Sequence, residues 1–164
     1  MRLLGEDVMT VLRTVVVALV LAAIAVAARA ELPDKKVLTL DAAKKIAAAA
    51  EGEAKKQKAR VVIAIVDDGG NLILLERLDD TQVASVEVGI GKARTAAIFR
   101  RPSKEFEDQI RTGRVAALAL PGATPLQGGV PITFDGKVIG AIGVSGETPS
   151  QDEEIAKAGA SILK

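Results

Sequence analysis

GGVPITFDGKVIGAIGVSGETPSQD, residues 128–152, is the stretch that decides the fold. Val130–Phe134 and Lys137–Val144 are apolar, strand-like runs, and Asp135-Gly136 between them is a two-residue hairpin turn signal. On the second run, Ile139 and Ala141 are expected to face one way, and Val138, Ile142 and Val144 the other. Both faces are then apolar, so neither faces only solvent. Thr148-Pro149-Ser150-Gln151 reads as a capping box with proline at the first helical position. It opens a last helix with Ile155, Ala158, Gly159 and Ile162 on one face.

Working outward, Pro121–Gly129 is a loop, and Val115–Leu120 is an apolar run read as a strand. Gln82–Phe99 predicts a central helix with Ala84, Val88, Gly91 and Thr95 on one side. Gly89 and Gly91 each cost about 1 kcal/mol relative to alanine in a helix, so their presence points to close packing. Pro102 ends that segment. Ser103 caps a short helix through Ile110, with Phe106 and Ile110 inward. Val61–Val66 is a β-branched run covered on both faces, and Leu72–Leu75 returns from the turn Asp67-Asp68-Gly69-Gly70-Asn71. Thr39 caps a helix from Leu40 whose stripe is Ala43, Ile46, Ala47, Ala50 and Ala54. Consecutive strands joined by hairpins predict an α/β (α+β) fold, with a central, mainly antiparallel sheet of about five strands flanked by helices.

The first thirty residues read as a signal peptide. Arg13 precedes an apolar run over residues 15–28, shorter than the ~20 residues of a spanning helix. Ala28-Arg29-Ala30 then has the pattern of a cleavage site. Glu6 and Asp7 are unusual in such a leader, which leaves Met9 as an alternative start. The expected mature chain, residues 31–164, is one domain, exported to the periplasm or secreted, with no stable membrane span after cleavage. The formal net charge is +1 over the whole sequence, and basic and acidic side chains balance beyond residue 30. No field attracts nucleic acid, and the only aromatics are three Phe, too few for base-stacking platforms. The chain has no Cys, so it holds itself by packing or assembly; its many small residues and low charge favour a homo-oligomer.

The same composition excludes much chemistry. With no His or Cys, triads and dyads built on either are absent. Gly143-Val144-Ser145-Gly146-Glu147 fails as a nucleophile elbow at its fifth position. Gly91-Lys92 lacks both the Ser/Thr and the upstream glycine of a phosphate loop, and Gly89-x-Gly91 meets Arg94 where a dinucleotide fingerprint needs glycine. Zinc sites of the usual N/S type are excluded. Asp67, Asp68, Glu76, Asp79 and Asp80 gather around the first hairpin as turn and surface charges. The remaining candidates are six. Lys92 and Thr95 share a helix face, where the lysine could hold a carboxylate or be a surface charge. Gly128 and Gly129 could present backbone N–H groups to an anion, or serve only an unusual backbone path. Ser103 is a cap or a ligand. Asp152 leads the acidic run in the first turn of the last helix.

Five segments taken together resemble a known family: Ile90-Gly-Lys-Ala-Arg-Thr-Ala, Phe99-Arg-Arg-Pro-Ser, Gly128-Gly-Val-Pro-Ile, Gly140-Ala-Ile-Gly-Val-Ser-Gly, and Gln151-Asp with Ala158-Gly-Ala. In order and spacing they are similar to the GlcG/HbpS family of haem-binding or haem-degrading-like proteins, and to the C-terminal domain of PduO-type cobalamin proteins. The resemblance runs from about Leu38 to Leu163 and takes in Asp67-x-Gly-Gly-Asn and Glu76-Arg-Leu-Asp. It implies a profilin-like α/β domain, often oligomeric, with octamers among exported members. It also implies haem or another tetrapyrrole as ligand, with a link to redox or iron sensing. Haem iron is usually held by His, Cys, Met or Tyr, and residues 31–164 contain none. Any iron ligand would have to be a weaker group such as Lys92, Thr95, Ser103, a carboxylate or water. Three readings stay open: a tetrapyrrole-binding protein, an enzyme or binding protein for a small organic acid using Lys92, Asp152 and backbone amides, and a ligand-free oligomeric module.

Overall fold

The structure is a computed structural model that describes residues 7–18 and 32–163. The chain divides into two compact units, Met1–Lys35 and Lys36–Lys164. In the first, residues 7–18 are helical and exposed; the expected cleavage site at residues 28–30 lies outside the described residues. No helix among the described residues is long and apolar enough to cross a membrane.

The second unit begins with α1, Leu40–Gln57. Thr39 Oγ1 accepts the N–H of Ala42 at 3.2 Å, and Ala43, Ile46, Ala47, Ala50 and Ala54 are buried, the stripe that the sequence predicts. Lys58 closes the helix in the left-handed conformation at φ 55°. Gly52, inside α1, has nothing within 4 Å of the position its Cβ would take. Gly52→Ala is therefore expected to stabilise the fold by about 0.5–1 kcal/mol in urea unfolding; a destabilisation would contradict the packing described.

Strands β1 (Val62–Asp67) and β2 (Leu72–Arg77) form a hairpin whose turn is tied by Asp67 Oδ1, which accepts the N–H groups of Gly69 and Asn71. Helix α2 (Ser85–Ile98), the short helix α3 (Lys104–Arg111) and a 3₁₀ turn at Val115–Ala119 follow. Strands β3 (Gly129–Phe134) and β4 (Lys137–Ser145) flank Asp135 and Gly136, both at positive φ, as the Asp-Gly turn demands. Helix α4 (Pro149–Ala160) ends the domain.

The sheet is antiparallel throughout, in the order β2-β1-β4-β3. One face packs Ile63, Ile65, Ile142 and Val144 against α1 and α4. The other packs Ala64, Val66 and Ala141 against Ala93, Ala96 and Ala97 of α2. That second layer is thin because helix and sheet meet through glycine: a Cβ on Gly143 would lie 2.2 Å from the Gly89 carbonyl oxygen. β1 is thus covered on both sides, as its β-branched composition implies.

Four expectations need correction. The sheet has four strands, because Val115–Ala119 is a 3₁₀ turn rather than a strand; Val115 and Leu118 are each 64% exposed, and only Ala117 is buried. The face of α2 turned to the sheet carries Gly89, Ala93 and Ala96, so Ala84 is exposed and Val88 only half-buried. In β4 the register shifts opposite Ile132/Thr133, leaving Ile139 as an extra residue, and it joins Ile142 and Val144 rather than Ala141. Ile162 lies beyond the end of α4 and is exposed; Leu163 packs on the core instead.

Candidate functional site

The six candidate residues converge where α2, the start of β3, the end of β4 and the start of α4 meet. Lys92 is 4% exposed and Asp152 2%, so the surface-lysine alternative is overturned. Lys92 points inward because Gly89 and Gly143 draw α2 onto the sheet. Its Nζ donates to Asp152 Oδ2 at 2.7 Å and to the Val144 carbonyl at 2.9 Å. Asp152 sits in the first turn of α4, where the helix dipole favours negative charge. Its Oδ1 accepts the Glu147 N–H at 3.1 Å. Burial pushes its carboxyl above the ordinary carboxylate range; Lys92 and the backbone N–H groups of Glu147 and Gly146 pull it back only in part.

Gly128 and Gly129 leave room for this pair. At Gly128, with φ 124°, a Cβ would come within 2.9 Å of Lys92 Nζ and 3.1 Å of Asp152 Cβ. A Cβ at Gly129 would lie 2.2 Å from the Lys92 carbonyl oxygen. The Gly129 N–H is not open to an anion, since it donates to Ser103 Oγ at 2.8 Å. Ser103 stands before α3 but makes no capping hydrogen bond; its hydroxyl donates to the Leu126 carbonyl instead. Thr95 Oγ1 accepts the Thr124 N–H at 2.7 Å and donates to the Gly91 carbonyl at 2.8 Å, and Thr124 packs where a Gly91 side chain would be.

Around this core runs a second set of contacts that the sequence did not point to. The Gln127 N–H donates to Glu107 Oε2 at 2.7 Å, and the Gln127 side chain donates to Glu153. Lys157 pairs with Glu153 at 2.9 Å, and Arg111 with Glu107 at 3.6 Å. Glu153 belongs to the acidic run that singles out Asp152, but nothing in the sequence marks the contacts of Gln127 with Glu107 and Glu153, which join residues far apart along the chain.

The arrangement is a clasp. Lys92, Thr95, Ser103 and Asp152 all bind protein groups, and no buried side-chain polar atom among the described residues lacks a partner. Nor does any group of three or more Asp or Glu among them gather as a metal site would. What the clasp does is fix α2, α4 and the loop before β3 to one another.

Residues 38–161 match the family described as haem degrading protein HbpS-like. The chain belongs to that family. The HbpS-like chain is 45% identical over 111 residues to protein GlcG of Escherichia coli K12, covering 68% of this chain and 83% of GlcG. Its fold matches the crystal structure of a double mutant of HbpS from Streptomyces reticuli, with a TM-score of 0.75 and 35% identity, covering 84% of this chain and 94% of that one. It also matches the crystal structure of a PduOC–heme complex, with a TM-score of 0.71 and 26% identity, covering 79% and 96% of the two chains. The α/β architecture is that of these neighbours.

Proposed function

We propose that this HbpS-like protein is an exported tetrapyrrole-binding protein that works as a homo-oligomer, up to an octamer, in redox or iron sensing. The observation that carries the ligand class is the shared fold with a structure described as a heme complex, joined to membership of the HbpS-like family. The apolar run over residues 15–28 followed by Ala28-Arg29-Ala30 supports export, and a mature N-terminus near Glu31, read by mass spectrometry of the exported protein, would bear on it directly.

The residues present do not fit an axial ligand to haem iron. The chain has no His, Cys or Tyr, and its two Met stand at positions 1 and 9. Lys92, Thr95, Ser103 and Asp152 are bound to protein partners. The same engagement weighs against a small-acid enzyme built on Lys92 and Asp152. A tetrapyrrole is then held by its ring and its propionates. Val115, Leu118 and Leu126 are exposed apolar side chains, Leu126 being tied to the clasp through Ser103, and Arg111 and Arg114 just before Val115 supply positive charge.

The test is a titration of the protein with hemin and, in parallel, with metal-free protoporphyrin IX, against protein-free controls. Binding through ring and propionates predicts saturation by both at the same stoichiometry, with dissociation constants within about threefold, a difference under 1 kcal/mol. No saturable change with either removes the tetrapyrrole reading. Saturation by hemin alone keeps that reading and shows that the iron finds a ligand on the protein.

A further inference from the structure

The two edges of the sheet are finished differently. On β3, Gly129 turns its backbone groups away from β4, and Ser103 takes both: its Oγ accepts the Gly129 N–H at 2.8 Å, and its own N–H donates to the Gly129 carbonyl at 3.0 Å. Pro131, two residues on and facing the same way, has no N–H to offer. That edge is closed to another strand.

β2, at the other edge, has no such device. The Leu78 N–H donates to the Val61 carbonyl at 3.1 Å, and from there the register pairs Arg77 with Val62, Glu76 with Ile63 and Leu75 with Ala64. The alternation of an antiparallel ladder then turns the backbone groups of Glu76 and Leu74 toward β1 and those of Leu75 and Arg77 outward. Among the described residues no strand, turn or side chain pairs with these outward groups. The strand reads Leu-Ile-Leu-Leu-Glu-Arg, with no Pro or Lys to deter pairing. Leu72 is 48% exposed, and Ile73, Leu74 and Leu75 are only half-buried although all are apolar.

We propose that β2 pairs antiparallel with β2 of a second copy of this chain across a twofold axis, joining two four-stranded sheets into one. The proposal rests on the homo-oligomer reading above and names one of its contacts. The charges exclude registers centred on the charged end of the strand and leave those centred on its leucines. An axis at Leu75 sets Leu75 opposite Leu75 of the second copy and Leu74 opposite Glu76. Moving it to Glu76 or Arg77 would set two like charges face to face, which is unfavourable. An isologous contact of this kind needs nothing but the same strand on both sides, and the near-neutral chain raises no long-range repulsion between copies.

The experiment compares the full chain with Arg77→Pro and Arg77→Ala by analytical ultracentrifugation, with far-UV circular dichroism as the check on folding. Arg77 is exposed and its N–H points away from β1, so proline there removes an outward donor while sparing the ladder to β1. Alanine removes the side chain and keeps the N–H. The expected result is association of the wild type and Arg77→Ala, and a rise in the dissociation constant of Arg77→Pro by about tenfold or more, two hydrogen bonds being lost per symmetric pair. The Leu75 amide of the wild type should exchange slowly in deuterium. If Arg77→Pro associates like the wild type, the edge contact is wrong while the oligomer stands; a monomeric wild type overturns both. If Arg77→Pro fails to fold, the Leu75 amide decides alone, and rapid exchange in an associated wild type overturns the contact.

Discussion

Lys92→Met is expected to lower the free energy of unfolding by about 3–5 kcal/mol at pH 7, because it strands a buried carboxylate. Asp152 is 2% exposed, and its cationic partner among the described residues is the Lys92 ammonium at 2.7 Å. Burial already holds the Asp152 carboxyl above its ordinary range, and the hydrogen bond and charge of Lys92 are the two strongest influences pulling it down. Without them the folded-state value climbs further. A carboxyl raised in the folded state binds its proton more tightly there than in the unfolded chain. Its protonation therefore favours the fold below the unfolded value of about 3.9, and that contribution is lost as pH rises through the folded value. The deficit of Lys92→Met should accordingly shrink as the pH falls from 7 toward 4. Lys92→Met combined with Asp152→Asn should recover most of the loss, since a neutral pair of similar shape leaves no orphaned charge and Asn can still accept the Glu147 N–H. Urea unfolding followed at 222 nm reads all of this in a chain without Trp or Tyr. A Lys92→Met variant within about 1 kcal/mol of wild type at pH 7, or a deficit that grows in acid, would show that the pair does not hold the clasp.

The fold was legible where a local signal coincided with a tertiary one. The Asp135-Gly136 turn, the Ala/Ile stripe of α1 and the β-branched run of β1 each carry a period that survives in the packed domain. It was illegible where packing overrode period. Val115–Leu120 has the composition of a strand but follows α3, whose start is tied to β3 by Ser103, and with Pro131 that contact closes the β3 edge to it. On α2 the side laid on the sheet is the one with the least side chain, at Gly89, where the cost of a glycine in a helix already pointed to close packing, although the residues facing the sheet with it, Ala93 and Ala96, were not named. One inserted residue at Ile139 defeated strict alternation in β4. For the site, the sequence named residues that the fold brings together, but it did not show the partners they take there. Motif order brought Lys92, Thr95, Ser103, Gly128, Gly129 and Asp152 into one group, but no spacing rule reveals that each is turned to another protein group. Glu107 and Gln127 carry no signal, because their meaning lies in contacts 20 residues apart and more.

Gly129→Ala separates the two meanings that Gly128-Gly129 can have. If these residues cradled an anion through backbone N–H groups, an alanine, which keeps its N–H, would weaken a ligand and leave the domain folded. The geometry predicts the reverse. The new Cβ would sit 2.2 Å from the Lys92 carbonyl oxygen, 2.7 Å from its carbonyl carbon and 2.8 Å from Ser103 Oγ. The first two are backbone atoms of a packed helix, so no side chain can swing aside to make room. Relief requires α2 to move away from β3, which opens the contact of α2 with the sheet and strains the Lys92–Asp152 pair. Overpacking of this kind costs about 3 kcal/mol or more. Disturbing the Ser103 bridge adds about 1–3 kcal/mol for the Gly129 N–H and Leu126 carbonyl left without partners. Against a typical total of about 5–15 kcal/mol, Gly129→Ala should lose about 4 kcal/mol or more, a large share of it, while Ser103→Ala should show the second part alone. Thermal melts of both, set beside Gly52→Ala as a glycine replacement in open space, make the comparison. A Gly129→Ala protein that melts cooperatively near the wild-type temperature would return the glycine pair to the list of ligand-binding groups. Loss of the fold would leave any ligand to bind outside the clasp, on surface that the HbpS-like domain keeps exposed.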